Sequence, residues 1–571
     1  MTTKFPCFPA ARNRAAHCMW IGILAAVLLA VQGVCLAGEG ACLAVHGACL
    51  AVQGACLAVQ GACLAGTATG AEAGGQAGAA QAGAKQAAVS RLWGKQGELW
   101  SPRSRLPDFS FAGYRWGEQK YRIPRESISV KDFGAAGDGK TDDTAAFQRA
   151  MAAGKGKLIL IPQGRYVLNG LLKIDSSGTV LRGAGSSRTT LVFQTPGDKL
   201  DPRPAKTDGN QPTTHWSWAG GLISIGGSAP SSQGAVKVGA PVSRGATELV
   251  LESAPFQAGE EVLLVLNDDE SKSLLEYLYR GQTGDISGLN RWRVMQVFRV
   301  TQVKGNTICL NRPLRFDVRP QWRPTVERFR PAVTDVGIEG ICFDFPVMRY
   351  EGHFREVGYN PVEITRWAAH CWLRDLLIRN ADSGPYVSGF FCTVENIRLE
   401  ADPQRLSPQG YSGHHGISLY GNDCLCQDFS IQTRFIHDLT VQSAIGCVFS
   451  RGTAIDLNMD HHRWAPYENL FTDIDAGKGT RLFASSGGGM RGNHSAAGTT
   501  FWNIRAQRAA GWPNWGIDAI NIVAVPIVAA DTLTGPLPDP TAFQGRWLEP
   551  IEPGRIQPAN LYEAMKARRS R

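Results

Sequence analysis

The residues best suited to chemistry crowd into one short stretch. Asp456, Asn458, Asp460, His461, His462, Arg463 and Trp464 fall within nine positions, with Tyr467 and Glu468 just beyond. On a strand, alternate side chains share a face, which would place Asp456, Asn458 and Asp460 together. Two carboxylates and an amide do not make a core face; such a face is wet or bound to something. His461 or His462 supplies a base, and Arg463 supplies a fork that binds carboxylate. Asp456 and Asp460 would then orient the base or hold a metal. Two further groups fall at spacings that stacked coils can bring onto the same face. His414 and His415 lie between Gly413 and Gly416, and Arg491 and His494 follow a glycine-rich loop. His353 and Glu356 suit a groove rim, and read equally well as a loop. Trp216, Trp218, Trp292 and Trp322 offer flat platforms, although single tryptophans are more often packing residues.

The elements that must hold these groups read as stacked strands. Helical periodicity is scarce after residue 155. Short apolar runs recur instead, each entered by Asp or Asn, as at Asp375, Asn396, Asp428, Asp438, Asp473 and Asn503. One turn of a three-sided solenoid takes roughly 20–25 residues, and loops lengthen single coils. Asp and Asn suit the turns between faces because their side chains bond to nearby backbone. Longer strands with hairpin turns between about 240 and 320 predict a small antiparallel insertion.

Composition narrows the function classes. The chain has 571 residues, 43% of them apolar and 19% charged, which fits a globular protein. The net charge is +9, or +6 without Lys4, Arg12 and Arg14. That excess is no nucleic-acid footprint, and it permits a polyanionic substrate. No phosphate loop, dinucleotide fingerprint, GxSxG or HExxH is present. Of 14 cysteines, seven precede residue 64 and seven follow it, with no CxxC pair. The later ones read as small buried residues, and no zinc site is expected.

The N-terminal residues 1–37 read as a signal peptide or anchor: Arg12 and Arg14 precede an apolar run that ends in small residues. Cleavage would leave a secreted, periplasmic or cell-surface protein, with membrane contact only if the segment stays uncut. Residues 38–89 hold a seven-residue repeat and an Ala/Gly/Gln-rich linker. A lead-in at 90–125, the solenoid at 126–545 and a C-terminal tail at 546–571 complete the expected organisation.

The stretch from Val130 through Asp138, Asp142, Asp143 and Thr144 to Ala150, continued at 156–166 and 181–185, resembles the opening motif of the pectate lyase superfamily, rhamnogalacturonase/epimerase-like branch. The resemblance implies an all-β, right-handed parallel β-helix with an N-terminal helical cap. It also implies a polysaccharide partner, since members cut, epimerise or bind such chains. By their own chemistry, Asp142, Asp143 and Thr144 would cap a short helix running to Met151. They are expected to build structure, with the catalytic groups on later coils.

Three functions follow as expectations. The first is an exported lyase acting on a uronate-containing glycan. There His461 or His462 would be the base, with Arg463 and Arg491 stabilising the developing enolate. His494 would belong to the same catalytic set. His414, His415, Trp464, Tyr467, Glu468, His353 and Glu356 would contact substrate. The second is a glycoside hydrolase using Asp456 and Asp460 as its carboxyl pair. The third is a non-catalytic glycan-binding surface protein. No cofactor is required by the sequence; Ca2+ stays open, and so does the oligomeric state.

Overall fold

The computed structural model describes residues 87–231, 234–528 and 537–570. The expected leader and nearly all of the repeat-and-linker segment lie outside the described residues. Among the described residues no helix is long and apolar enough to cross a membrane.

Two parallel sheets run side by side. The long sheet starts at Ser127–Ser129, passes through Gly337–Asp344, Trp372–Arg379, Thr393–Glu400, Leu425–Ile431 and Leu470–Asp475, and ends at Trp547–Glu549. The second sheet follows the order Leu172–Ile174, Ile223–Ile225, Val362–Ile364, Tyr386–Val387, Gly413–Leu419, Phe435–Val441, Met459–His461. From residue 337 to 475 the chain alternates between them, one coil on the last. This is a parallel β-helix, wound right-handed as parallel crossovers are.

Register makes the core a set of columns. Ile364, Val387, Leu419 and Val441 pair in succession and are all buried. Each such side chain contributes about 1.5–3 kcal/mol on leaving water. Cys371, Cys392, Cys424 and Cys447 occupy another inner column as free, buried thiols. They fill the interior, as small apolar residues would.

The Asp and Asn residues do not open the strands. Asp375, Asn396, Asp428, Asp473 and Asn503 sit inside them, each with φ between 52° and 56°. Each of these strands bends there, at a corner between two faces, and Gly337–Asp344 bends likewise at Gly340, with φ 69°. Asn and Asp tolerate this left-handed conformation better than other residues with a Cβ. The side chains also bond up the column: Asn503 Nδ2 donates to Asp473 Oδ1 at 3.4 Å.

The helical cap is Thr144–Ala153, with Phe147 and Ala150 fully buried. Asp142 accepts from the Thr144 amide at 3.0 Å. Asp143 turns the other way and accepts from the amides of Ala136 and Gly137. Asp142 thus satisfies the first amide of the helix from one residue before the N-cap, while Asp143, at the N-cap, pins the preceding loop and makes no cap bond of its own.

The insertion is an antiparallel sheet built on Glu261–Asn267, Arg293–Lys304 and Thr325–Arg328. It docks on the β-helix through buried ion pairs. Arg312 and Arg315 each lie 2.7 Å from Asp423; Arg315 also reaches Glu468 at 2.9 Å, and Arg244 reaches Glu468 at 3.2 Å. The outer face of the long sheet is covered by the lead-in and the C-terminal segment. Leu92, Trp93 and Phe109 pack there with Leu470, Trp502, Leu561 and Met565. The second sheet is where polar side chains gather.

Candidate active site

Five histidines converge on the second sheet. His414 and His415 lie on strand Gly413–Leu419, and His437 lies on Phe435–Val441, level with His415. Asp460 lies on Met459–His461, level with Thr440, and His462 follows that strand. Loop 345–361 lays His353 against His414, with their Nε2 atoms 2.8 Å apart. Ring centres are 4.1 Å apart for His414 and His415, 4.9 Å for His415 and His437, and 5.0 Å for His437 and His462.

Asp460 is the anion of this cluster. Its Oδ2 lies 2.6 Å from His462 Nδ1 and 3.2 Å from His437 Nδ1, and its Oδ1 accepts from the Ser486 amide at 2.9 Å. Burial alone would raise its pKa; His437, His462 and the amide outweigh that and hold it below the usual carboxylate range. With Asp460 ionised, His462 Nδ1–H donates to it, and Nε2 is the ring nitrogen turned away from the carboxylate. That is the arrangement of a carboxylate-oriented general base.

Burial disfavours the charged form of His353, His414, His415 and His437. Burial pushes His437 down to about 3, partly offset by Asp460. Burial, then the neighbouring imidazoles, hold His414 and His415 well below the ordinary histidine range. Glu356 is pushed up to about 7 by burial, although Tyr350 donates to its Oε1 at 2.5 Å.

Beside the cluster runs a cleft of about 440 Å³. Ser388, Tyr420 and Gln442 line it from successive coils, each following a residue of the inner apolar column. Trp464 closes one end. The insertion supplies the far wall with Arg291, Trp292 and Arg293, and Arg366 adds a third cation. Among the described residues, no carboxylate lies within salt-bridge distance of Arg291, Arg293 or Arg366. The ring centres of Trp292 and Trp464 are 6.2 Å apart.

The structure brings together His353, Glu356, His414, His415, Asp460 and His462. It places Trp464 on the adjoining cleft and separates the rest. Asp456, Asn458 and Asp460 do not share a face, because only Met459–His461 pairs as a strand and the chain turns before it. Asp456 accepts from Thr480 at 2.6 and 2.9 Å. The amide of Asn458 bonds the backbone of Ile436, Asp438 and Ala484. His461 points inward: its register partner is Val441, and its ring centre lies 4.3 Å from that of Trp515. Arg463 is turned to the Gly492 carbonyl and to His494, whose Nδ1 meets the His461 carbonyl at 3.0 Å. Arg491 pairs with Asp208 at 2.8 Å and lies over Trp464. Tyr467 and Glu468 are buried where the insertion docks, and Glu468 is saturated by two arginines.

His437, Ser486 and the three cleft arginines escaped the sequence reading. The one usable signal was the 22-residue offset from His415 to His437, the length of a coil. The arginines carry no such signal, because a sequence-distant insertion delivers two of them.

The stacked rungs, the helical cap and the two-sheet winding define a right-handed parallel β-helix protein. Within that class, residues 127–215 match the family described as rhamnogalacturonase A/epimerase, pectate lyase-like. Over 66 residues the chain is 44% identical to the pre-neck appendage protein of Bacillus phage B103, covering 12% of this chain and 7% of that protein. Over 72 residues it is 38% identical to alginate lyase 7 of Azotobacter vinelandii, covering 11% and 8%. The chain thus spans under a tenth of the length of these relatives. Among solved structures, an exopolygalacturonase from Thermotoga maritima aligns over 73% of this chain and 79% of that one, at 11% identity and a TM-score of 0.31. The family match at 127–215 ends before the first residue of the histidine cluster.

Proposed function

We propose that the protein is an exported polysaccharide lyase acting on a uronate-containing glycan. One observation carries this reading: the His462–Asp460 pair at 2.6 Å adjoins, through Gln442 and Trp464, a cleft lined by two tryptophans and by three arginines that lack carboxylate partners among the described residues. Aromatic faces suit sugar rings, and arginine forks suit sugar carboxylates. His462 Nε2 takes the proton from the ring carbon next to the carboxylate. The electron pair left behind forms the new carbon–carbon double bond. The glycosidic carbon–oxygen bond breaks, and the leaving oxygen picks up a proton. An arginine on the carboxylate stabilises the charge that develops there in the transition state. The sequence likenesses to alginate lyase 7 and to the rhamnogalacturonase/epimerase family support a glycan substrate.

A second reading rests on Glu356. Its raised pKa of about 7 and the ionised Asp460 give two carboxyl groups in opposite states, as glycoside hydrolysis requires.

The test is a screen of the chain against acidic and neutral polysaccharides, following reducing ends and ultraviolet absorbance together. New ends with absorbance of a conjugated double bond support the lyase. New ends without absorbance favour hydrolysis. Binding without turnover on every acidic glycan overturns the lyase, and the same result on the neutral ones overturns the hydrolase.

A further inference from the structure

The lyase reading uses His462 and Asp460. It leaves His353, His414 and His437 without a task. Three imidazoles packed this closely make a poor core, since each ring carries two polar atoms that must be satisfied. His414 and His437 are only 1% and 3% exposed, and the Nδ1 atoms of both make no hydrogen bond. One nitrogen from each of the three residues can be chosen so that all lie within 4.8 Å of one another.

We infer that His353, His414 and His437 form a binding site for a divalent transition-metal ion of the zinc type. Three features argue for that class. First, all three donors are imidazole nitrogens, which suit zinc, copper, nickel and iron, whereas calcium takes six to eight oxygens. Second, the spacing fits. Two ligands on a tetrahedral zinc at about 2.0–2.1 Å stand about 3.4 Å apart. The Nε2 atoms of His353 and His414 are 2.8 Å apart, and a small ring rotation opens that gap. Third, a carboxylate stands behind two of the imidazoles. Glu356 Oε1 is 3.5 Å from His414 Nδ1, and Asp460 Oδ2 is 3.2 Å from His437 Nδ1. Neither contact has hydrogen-bond geometry as it stands; with the rings turned to meet them, carboxylates so placed orient histidine ligands through Nδ1 and leave Nε2 for the metal, which at His437 would replace the contact to Ser486 Oγ at 3.3 Å. With three protein ligands the fourth position stays open to water or to a glycan oxygen. His353 is exposed, so that position faces solvent. This inference does not depend on the lyase reading, because metal binding is read without turnover.

The experiment titrates the full chain, stripped with a chelator, with Zn2+ and separately with Ca2+ by calorimetry. Cobalt(II) serves as an optical probe of ligand type. One Zn2+ per chain should bind, with Ca2+ failing to compete. Affinity should fall by about 10–100-fold or more in His353→Ala and in His414→Gln. His353→Ala guards against a folding artefact, because that side chain is exposed, and unchanged thermal unfolding would confirm it. Bound cobalt should show nitrogen ligation without a thiolate charge-transfer band. The inference is overturned by the absence of stoichiometric Zn2+ binding, by binding that survives both variants, or by a thiolate band that assigns the metal to the N-terminal cysteines.

Discussion

His462 Nδ1 lies 2.6 Å from Asp460 Oδ2, and Asp460 is fully buried while His462 is half-buried. A buried anion thus sets the tautomer of a ring that solvent can reach. The inner nitrogen donates to the carboxylate, and the other is turned away from it. His437, 3.2 Å from the same oxygen, shares the anion from the neighbouring coil.

Replacing His462 by Asn should lower turnover on a uronate glycan by about 10²–10⁴-fold, the usual yield of a positioned base. Asp460→Asn should act in the same direction by releasing the ring. His462→Asn should still unfold cooperatively, with at most a modest loss, since Asp460 keeps the Ser486 amide and His437. Full activity in His462→Asn would remove the base assignment.

His461 predicts the opposite. Its ring is enclosed by Phe471, Phe501 and Trp515, and its Nε2 is buried without a partner. His461→Phe should keep turnover and leave stability equal or higher, because the variant removes an unsatisfied polar atom. Steady-state kinetics and a denaturant melt check both halves.

The same residue sets a pH dependence. Burial lowers His461 from 6.5 to about 4, so the unfolded chain binds its proton first. Its contribution is therefore complete above pH 6.5 and is lost as the pH falls towards 4. The stability gap between His461→Phe and wild type should widen in favour of the variant across that window. A gap that is flat with pH would mean the ring is hydrated.

Asp423 holds Arg312 and Arg315 at 2.7 Å in a fully buried setting. Asp423→Asn takes the carboxylate from Arg312 and leaves Arg315 with Glu468 alone, and should cost about 3–5 kcal/mol in chemical denaturation. Loss of cooperativity would mean that the insertion detaches first. A cost below about 1 kcal/mol would show water reaching the network.

The cleft arginines should act on affinity. Arg291→Ala or Arg366→Ala removes a charged hydrogen bond worth about 1.5–3 kcal/mol, or roughly 10–100-fold in KM for an acidic glycan. Binding of a neutral glycan should not change. Equal losses on both substrates would make the cleft a general sugar platform without carboxylate recognition.

The sequence by itself determined the coil. Apolar runs at near-coil spacing, Asp and Asn at the corners, and the capped helix at 144–153 are local choices. Each is dictated by side-chain volume, left-handed backbone tolerance or hydrogen bonding within a few residues. Hence the β-helix, the insertion and the inner thiols could all be read from the chain. The site was legible in part. Histidines 414, 415 and 462 stood out because they are rare and clustered. Their division of labour did not, because it depends on which way a ring points. His461 and His462 are adjacent and chemically identical, yet register places the first over Val441 in the core and the second against Asp460. His437 joined the site through stacking of one coil on the next, and the arginines joined through the docking of the insertion. Only the tertiary structure decides such contacts, because they arise between residues far apart in the chain, where spacing carries no information about direction.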